Sequence, residues 1–284
     1  MTLSRAKYYR PDTVHEALSA LADFRETTAI LSGGTHVMSH LNRDFPRFSQ
    51  LLDVSALPDS AKFALTSNGV VLGTAVTYAT VLSPDSARLP RLIRQISAGI
   101  TGGPQIRNQG TLGGSACYGN PASDIPTGLV ALGAQMICVS ESRGTRTIAA
   151  SEFFKSAFVT ALLSDEMLIS IAIPYDSVSD RWGYVKLKTT ESSWPVAVAA
   201  AKISGAEVTI TIGASTEVPV TICPVKLRNA GHLSESDILL IRETVKATSA
   251  TWWSDELCDS VYRKRMAEVV AVRAVENALS KELS

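Results

Sequence analysis

The sequence predicts an α+β fold with a separate C-terminal unit, and three observations predict it. Roughly the last hundred residues carry three strand patterns followed by two helical ones, a compact α+β unit of domain size. Upstream of Pro174-Tyr175-Asp176-Ser177-Val178-Ser179-Asp180, where the character of the chain changes, amphipathic helical stripes and short apolar strands alternate. The chain has 284 residues, 45% hydrophobic and 19% charged, the balance of a soluble globular protein with a sizeable core.

Thr13 to Glu16 forms a capping box, in which the Thr13 hydroxyl accepts from the Glu16 amide and Glu16 reaches back. Val14, Ala17, Leu18 and Leu21 then make one buried stripe. Ala29 to Leu31 is a strand that runs into Ser32-Gly33-Gly34-Thr35, with a second helix from Thr35 to Leu41. Gln50 to Val54 and Gly69 to Gly73 read as strands, and Leu89 to Ile100 as a helix ending in Gly99, Gly102 and Gly103. Pro104 to Pro126 is rich in glycine and proline and reads as a long loop inside the fold, a position that favours function over linkage. Helix resumes at Thr127 to Leu132 and strand at Ala134 to Val139. Tyr184 to Lys188 and Val196 to Ile203 are strands, and Ser204-Gly205 is a turn. Val208, Ile210 and Ile212 then alternate with threonines at period two. Ile238, Ile241 and Val245 mark one closing helix. Leu257, Val261, Val269, Val272, Val275 and Leu279 mark the other, capped by Ser254 with Asp255 and Glu256 at its positive end.

Composition excludes several functions. Lys+Arg and Asp+Glu each number 27, so no basic field exists to hold nucleic acid. Cys117, Cys138, Cys223 and Cys258 are widely spaced without a CxxC, which argues against a disulfide scaffold, a zinc site or an iron–sulfur cluster held by this chain. The opening residues lack the apolar core of a secretory signal, and no apolar run reaches the ~20 residues of a membrane span. A cytoplasmic protein with reduced thiols is expected.

Two glycine-rich segments carry the chemistry. In Leu31-Ser32-Gly33-Gly34-Thr35-His36, glycines between a strand and a helix let the backbone approach a phosphate, although a plain turn has the same pattern. Thr111-Leu112-Gly113-Gly114-Ser115 permits close approach to a flat or charged ligand, and Asp124 beyond it can accept from sugar-like hydroxyls. Neither segment is a GxGxxG or GxxxxGK[ST] fingerprint, so any nucleotide is held by a non-Rossmann route.

Together, SGGTHVMSHL and, about 70 residues later, GGPQIRNQGTLGGSACYGNPASDIP resemble the flavin-binding subunit of the molybdenum hydroxylases, the xanthine dehydrogenase and carbon monoxide dehydrogenase family. The resemblance extends over Tyr9-Arg10-Pro11, Leu52-Asp53-Val54, Glu166 to Pro174, Gly183 to Lys188, and Ser254-Asp255 through Tyr262-Arg263. It implies the vanillyl-alcohol-oxidase-like (PCMH-type) FAD-binding fold. FAD-binding subdomains would span residues 1–58 and 59–176, followed by a C-terminal α+β domain at 177–284.

The resemblance also implies site residues. Ser32, Gly33, Gly34, Thr35 and His36 would wrap the FAD pyrophosphate. Thr111, Gly113, Gly114 and Ser115 would lie against the flavin and its ribityl chain, Asp124 would hydrogen-bond that chain, and Leu168 and Lys186 would lie near the cofactor. The implied partners are a large molybdopterin subunit and a small subunit with two [2Fe–2S] clusters, in a dimer of heterotrimers. The implied function is electron transfer from the nearer cluster through FAD to an external acceptor, with no catalytic residue in this chain.

The sequence departs from many relatives, which carry Asn at Ser115 and Asp at His36. His36 and His40 share a helix face and invite a metal reading, but no third ligand is evident. Trp194 either lies over the isoalloxazine or packs as an ordinary tryptophan. Arg107 either holds a phosphate or partner or, the favoured reading, braces backbone carbonyls; Cys117 reads as a bystander beside the flavin loop, and Trp252-Trp253 as either a subunit contact or helix-start packing. Two other functions compete: a stand-alone FAD-dependent oxidoreductase with its own substrate, and a non-catalytic binding or assembly protein without FAD. The intact glycine segments and Asp124 speak against the latter.

Overall fold

The computed structural model describes residues 6–23, 27–42, 48–228 and 231–280; residues 1–5 of the opening segment and the Cys223 side chain lie outside that description. Three sheets position the site. The first is parallel, with β1 (Lys7–Tyr9) and β2 (Thr28–Leu31) on either side of β3 (Gln50–Asp53). Helix α1 (Val14–Asp23) buries Ala17, Leu18 and Leu21, the expected stripe, in a core with Leu52 and Met167. Thr13 Oγ1 accepts from the Glu16 amide at 3.2 Å, but the Glu16 carboxylate takes the Asp12 amide, one residue outside the expected box. Helix α2 (Val37–Asn42) begins two residues later than expected, because the chain turns first through Gly34 at φ +73°.

The second sheet is antiparallel. Its strands are β4 (Phe63–Leu65), β5 (Gly69–Gly73), β6 (Gln135–Ser140), β7 (Gly144–Ala149) and, after the hairpin β8 (Phe154–Ser156)/β9 (Val159–Thr160), β10 (Glu166–Pro174), in the order β4-β5-β10-β6-β7. Helices α3 (Tyr78–Leu82), α4 (Arg91–Ala98), α5 (Gly103–Gln109), α6 (Leu112–Tyr118) and α7 (Asp124–Ala131) lie between β5 and β6, and α8 (Ala150–Phe153) precedes β8.

The segment expected as a loop, Pro104 to Pro126, is instead α5, α6 and the start of α7. Its glycines and prolines punctuate helices rather than prevent them. Gly102 at φ +98° precedes α5 and Pro104 sits in its first turn. The Thr111 hydroxyl caps α6 by accepting from the Gly114 amide, and Gly119 at φ +58° ends it.

The third sheet is an antiparallel meander of β11 (Arg181–Lys188), β12 (Pro195–Ser204), β13 (Glu207–Gly213) and β14 (Val220–Lys226). It has four strands where three were expected. The fourth, β14, carries Pro224 and lies at the edge of the sheet, where proline is tolerated. Helices α9 (Glu235–Lys246) and α10 (Ser260–Ser280) cover one face. On β12, Ala197, Ala199, Ala201 and Ile203 pack toward these helices, whereas Val198 and Ala200 join the core around α4, α7 and the second sheet. Burial on both faces explains the continuous apolar run of this strand. Helix α10 starts later than expected. Ser254 Oγ accepts from the Ser260 amide at 2.8 Å and Asp259 caps the Tyr262 amide at 2.7 Å, while Asp255 is drawn to Arg263. No helix of the described residues is long and apolar enough to cross a membrane.

Candidate cofactor site

The first glycine segment leaves β2 and enters α2. Its carbonyls are used, with Met38 N–H donating to Gly34 O and His40 N–H to His36 O, both at 3.0 Å. The amides of Gly33, Gly34, Thr35 and His36 have no protein acceptor among the described residues. A run of unpartnered backbone donors is what a diphosphate requires.

The second segment is different, because its amides are satisfied internally. Gly113 donates to Thr74 O at 3.1 Å, Gly114 to Thr111 Oγ1 at 3.0 Å and Ser115 to Thr111 O at 3.1 Å. It offers hydroxyls instead: Thr111 Oγ1 donates to Ser32 Oγ at 3.3 Å, and Ser115 Oγ bonds the Tyr78 hydroxyl. Burial pushes Tyr78 up to about 12, so that hydroxyl keeps its proton.

The glycines serve a contact that sequence reasoning did not supply. A Cβ on Gly33 would stand 1.8 Å from Gln109 O, and one on Gly113 would stand 2.4 Å from Thr74 Cβ. Their missing side chains let protein segments meet, beyond clearing space for a ligand.

Three cavities adjoin the two segments. One of about 240 Å³ lies between Gly33, Gly34, Gly113, Ser115 and Leu168. One of about 700 Å³ flanks Ser32 to Thr35 toward Thr77 and Gln109. One of about 410 Å³ runs from Thr35 and His36 to Asp124 and Trp194. Every candidate residue lines one of these cavities except Lys186, which reaches the third through Asp124. Buried Glu166 helps to set Leu168 in place: it pairs with Arg146 at 2.6 Å and accepts the Leu163 amide at 2.9 Å, fixing the start of β10.

Asp124, buried at the start of α7, accepts from Lys186 Nζ at 2.7 Å and from the Tyr184 hydroxyl. Lys186 also donates to Gly99 O at 3.0 Å and Thr101 Oγ1 at 3.3 Å. Burial and the adjacent carboxylate raise Tyr184 well above the usual tyrosine value, so it remains a donor. A carboxylate has about four acceptor positions, so Asp124 retains capacity for ligand hydroxyls. Tyr184 is a site residue that sequence reasoning missed. Period two puts it on the face of β11 that carries Lys186, but nothing in the spacing points to Asp124.

The His36 ring stacks on Tyr118 at 4.0 Å and lies 5.9 Å from Trp194. Burial, then the charge of His40, lowers the His36 pKa, so the ring is neutral near pH 7. His40 Nε2 sits 3.3 Å from the Tyr118 hydroxyl, and no group of three metal-ligating side chains forms among the described residues. Trp194 is exposed on the wall of the third cavity, and Cys117 lines the first. The Arg107 side chain does not brace carbonyls, the favoured expectation: it makes no hydrogen bond or ion pair among the described residues. Trp252 bridges to Thr216 and lies under Lys264 of α10, contacts within this chain.

The family FAD binding domain in molybdopterin dehydrogenase matches residues 4–176. The chain belongs to this family. FAD is therefore its cofactor, and the structure fits that group: four unpartnered amides, flanking cavities and a buried carboxylate with spare acceptor positions lie together. Caffeine dehydrogenase subunit beta from Pseudomonas sp. (strain CBB1) is 34% identical over 62% of this chain, which spans 60% of that relative's length. The carbon monoxide dehydrogenase medium chain of Afipia carboxidovorans is 28% identical over 96% of each chain. Among solved structures, a chain of reconstituted CO dehydrogenase from Oligotropha carboxidovorans superposes with a TM-score of 0.89 at 26% identity, covering 99% of this flavoprotein and 100% of that chain. Quinoline 2-oxidoreductase from Pseudomonas putida 86 shares the fold, with a TM-score of 0.86 at 22% identity.

Proposed function

We propose that this flavoprotein is the medium, electron-transfer subunit of a heteromeric molybdenum hydroxylase, carrying electrons from [2Fe–2S] clusters of a partner to an external acceptor. Its partners are a large molybdopterin subunit and a small iron–sulfur subunit, in a cytoplasmic dimer of heterotrimers. The observation that carries this reading is the end-to-end likeness to a carbon monoxide dehydrogenase medium chain.

When bound, FAD supplies the redox chemistry. This chain binds and orients it. The amides of Gly33, Gly34, Thr35 and His36, beside Ser32, hold the diphosphate. Thr111, Gly113, Gly114 and Ser115 line the flavin and its ribityl chain. Asp124 accepts from ribityl hydroxyls while Lys186 and Tyr184 fix its carboxylate, and Leu168 excludes water. The working units are residues 1–58, 59–176 and 177–284.

The purified chain loaded with FAD is expected to be reducible by dithionite and inert toward aromatic or aldehyde substrates. In the assembled complex, removing flavin from this subunit should leave cluster reduction by substrate intact and stop turnover with the flavin-dependent acceptor. Substrate oxidation by the chain alone, free of molybdenum and iron, at the rate of the complex would replace this reading with a stand-alone flavoenzyme.

A further inference from the structure

Behind the cleft stands a fully buried arginine. Arg263, on α10, donates from Nη1 to Pro195 O at 3.3 Å, Val196 O at 2.8 Å and Ala214 O at 2.5 Å. Its Nη2 lies 2.6 Å from Asp255 Oδ2. Asp255 accepts the Trp253 indole N–H at 3.1 Å and the Leu257 and Cys258 amides at 3.0 and 3.2 Å. One guanidinium thus fixes the two residues that follow Trp194 and, through a carboxylate, Trp253. It also holds the carbonyl of Ala214, a non-glycine residue at φ +58°.

These two tryptophans end a chain of rings. Trp194 lies 5.9 Å from His36, His36 stacks on Tyr118 at 4.0 Å, Tyr118 meets Phe158 at 5.3 Å, and Phe158 meets Trp253 at 6.2 Å. Trp194 and Trp253 belong to the region of the third sheet, whereas His36 follows the first sheet and Tyr118 and Phe158 belong to the second. His36 and Tyr118 line both the first and the third cavity. The ring chain therefore spans the cleft, and both its ends are tied to Arg263.

We propose that Arg263 is a positioning residue for the cofactor cleft: it sets Trp194 and Trp253, and through them the His36–Tyr118 stack that borders the FAD site. The proposal rests on FAD occupying this cleft. All three carbonyl bonds come from Nη1, while Nη2 forms the ion pair with Asp255 on the other side of the guanidinium; a lysine carries one nitrogen in place of these two, so it cannot hold both ends of the contact. If Arg263 only packed the C-terminal domain, its loss would lower stability and leave the cleft unchanged.

The test uses the full chain with Arg263→Lys and Asp255→Asn, each made alone and together with Trp194→Ala/Trp253→Ala. The aromatic near-UV circular dichroism of the flavin-free protein reads the ring chain, and fluorescence titration with FAD reads the cleft. Each single variant is expected to alter the near-UV band and to weaken FAD binding about tenfold, with less than about a twofold further loss where both tryptophans are absent. Unchanged affinity in a folded variant would overturn the proposal, as would the same tenfold loss without the tryptophans. If Arg263→Lys fails to fold, Asp255→Asn supplies the same comparison. Wild-type chain that binds no FAD would overturn the cofactor reading itself, and an unaltered near-UV band in the variants would then overturn the role of Arg263 independently.

Discussion

Gly33→Ala is expected to leave the protein without FAD and to cost about 3 kcal/mol of stability, the upper end of the usual overpacking range. The added Cβ would sit 1.8 Å from Gln109 O and 2.7 Å from the carbonyl carbon, and backbone cannot step aside as a side chain can. Either α5 and the first glycine segment separate or the segment rotates, and both displace the amides of Gly33 to His36. Flavin-to-protein ratio after purification and denaturant unfolding measure the two effects. Gly99→Ala is the control: its Cβ meets nothing nearer than 3.5 Å, so flavin content should stay near that of the wild type. Full flavin in Gly33→Ala would mean that contact between the two segments does not shape the site.

Asp124→Ala is the second large effect. It leaves Lys186, whose side chain is 9% exposed, without its carboxylate, and breaking a buried pair from one side costs about 3–5 kcal/mol. FAD affinity should fall by roughly one to two decades as a charge-assisted acceptor for the ribityl chain is lost. The two losses are separable. Asp124→Leu combined with Lys186→Met removes both charges together, so most of the stability should return while FAD binding stays weak. A single variant as stable as the wild type, or a double variant with normal affinity, would contradict the role given to Asp124. The geometry makes this residue a junction between α7 and β11, and the double variant separates that role from the proposed one toward the ribityl chain.

The sequence was most informative where one residue pattern met one environment. The α1 stripe and the alternation in β13 could be read because the apolar residues of each enter a single core. Between Pro104 and Pro126 the same rules failed. Glycine and proline there occupy caps and first turns, which short helices require and which composition alone does not distinguish from a loop. The candidate site was legible through its two glycine segments, although spacing alone did not show that Gly33 faces Gln109 rather than only a ligand. Tyr184, Tyr118 and Arg263 stayed hidden because Asp124, His40 and the carbonyls of Pro195, Val196 and Ala214, to which they respectively bond, lie 49 to 78 residues away. Such pairings arise from tertiary packing, the third sheet on α7 and the buried face of α10 on that sheet among them, and no local period encodes them.

One FAD is expected to lie non-covalently in this cleft, with its diphosphate on the amides of Gly33 to His36. Titration of flavin-stripped full-length chain with FAD and, in parallel, with FMN tests it most directly. The expected result is saturable binding of one FAD per chain, released on acid precipitation, with FMN bound far more weakly because it lacks the diphosphate and adenosine. No saturable FAD binding, or equal affinity for FMN, would contradict that placement.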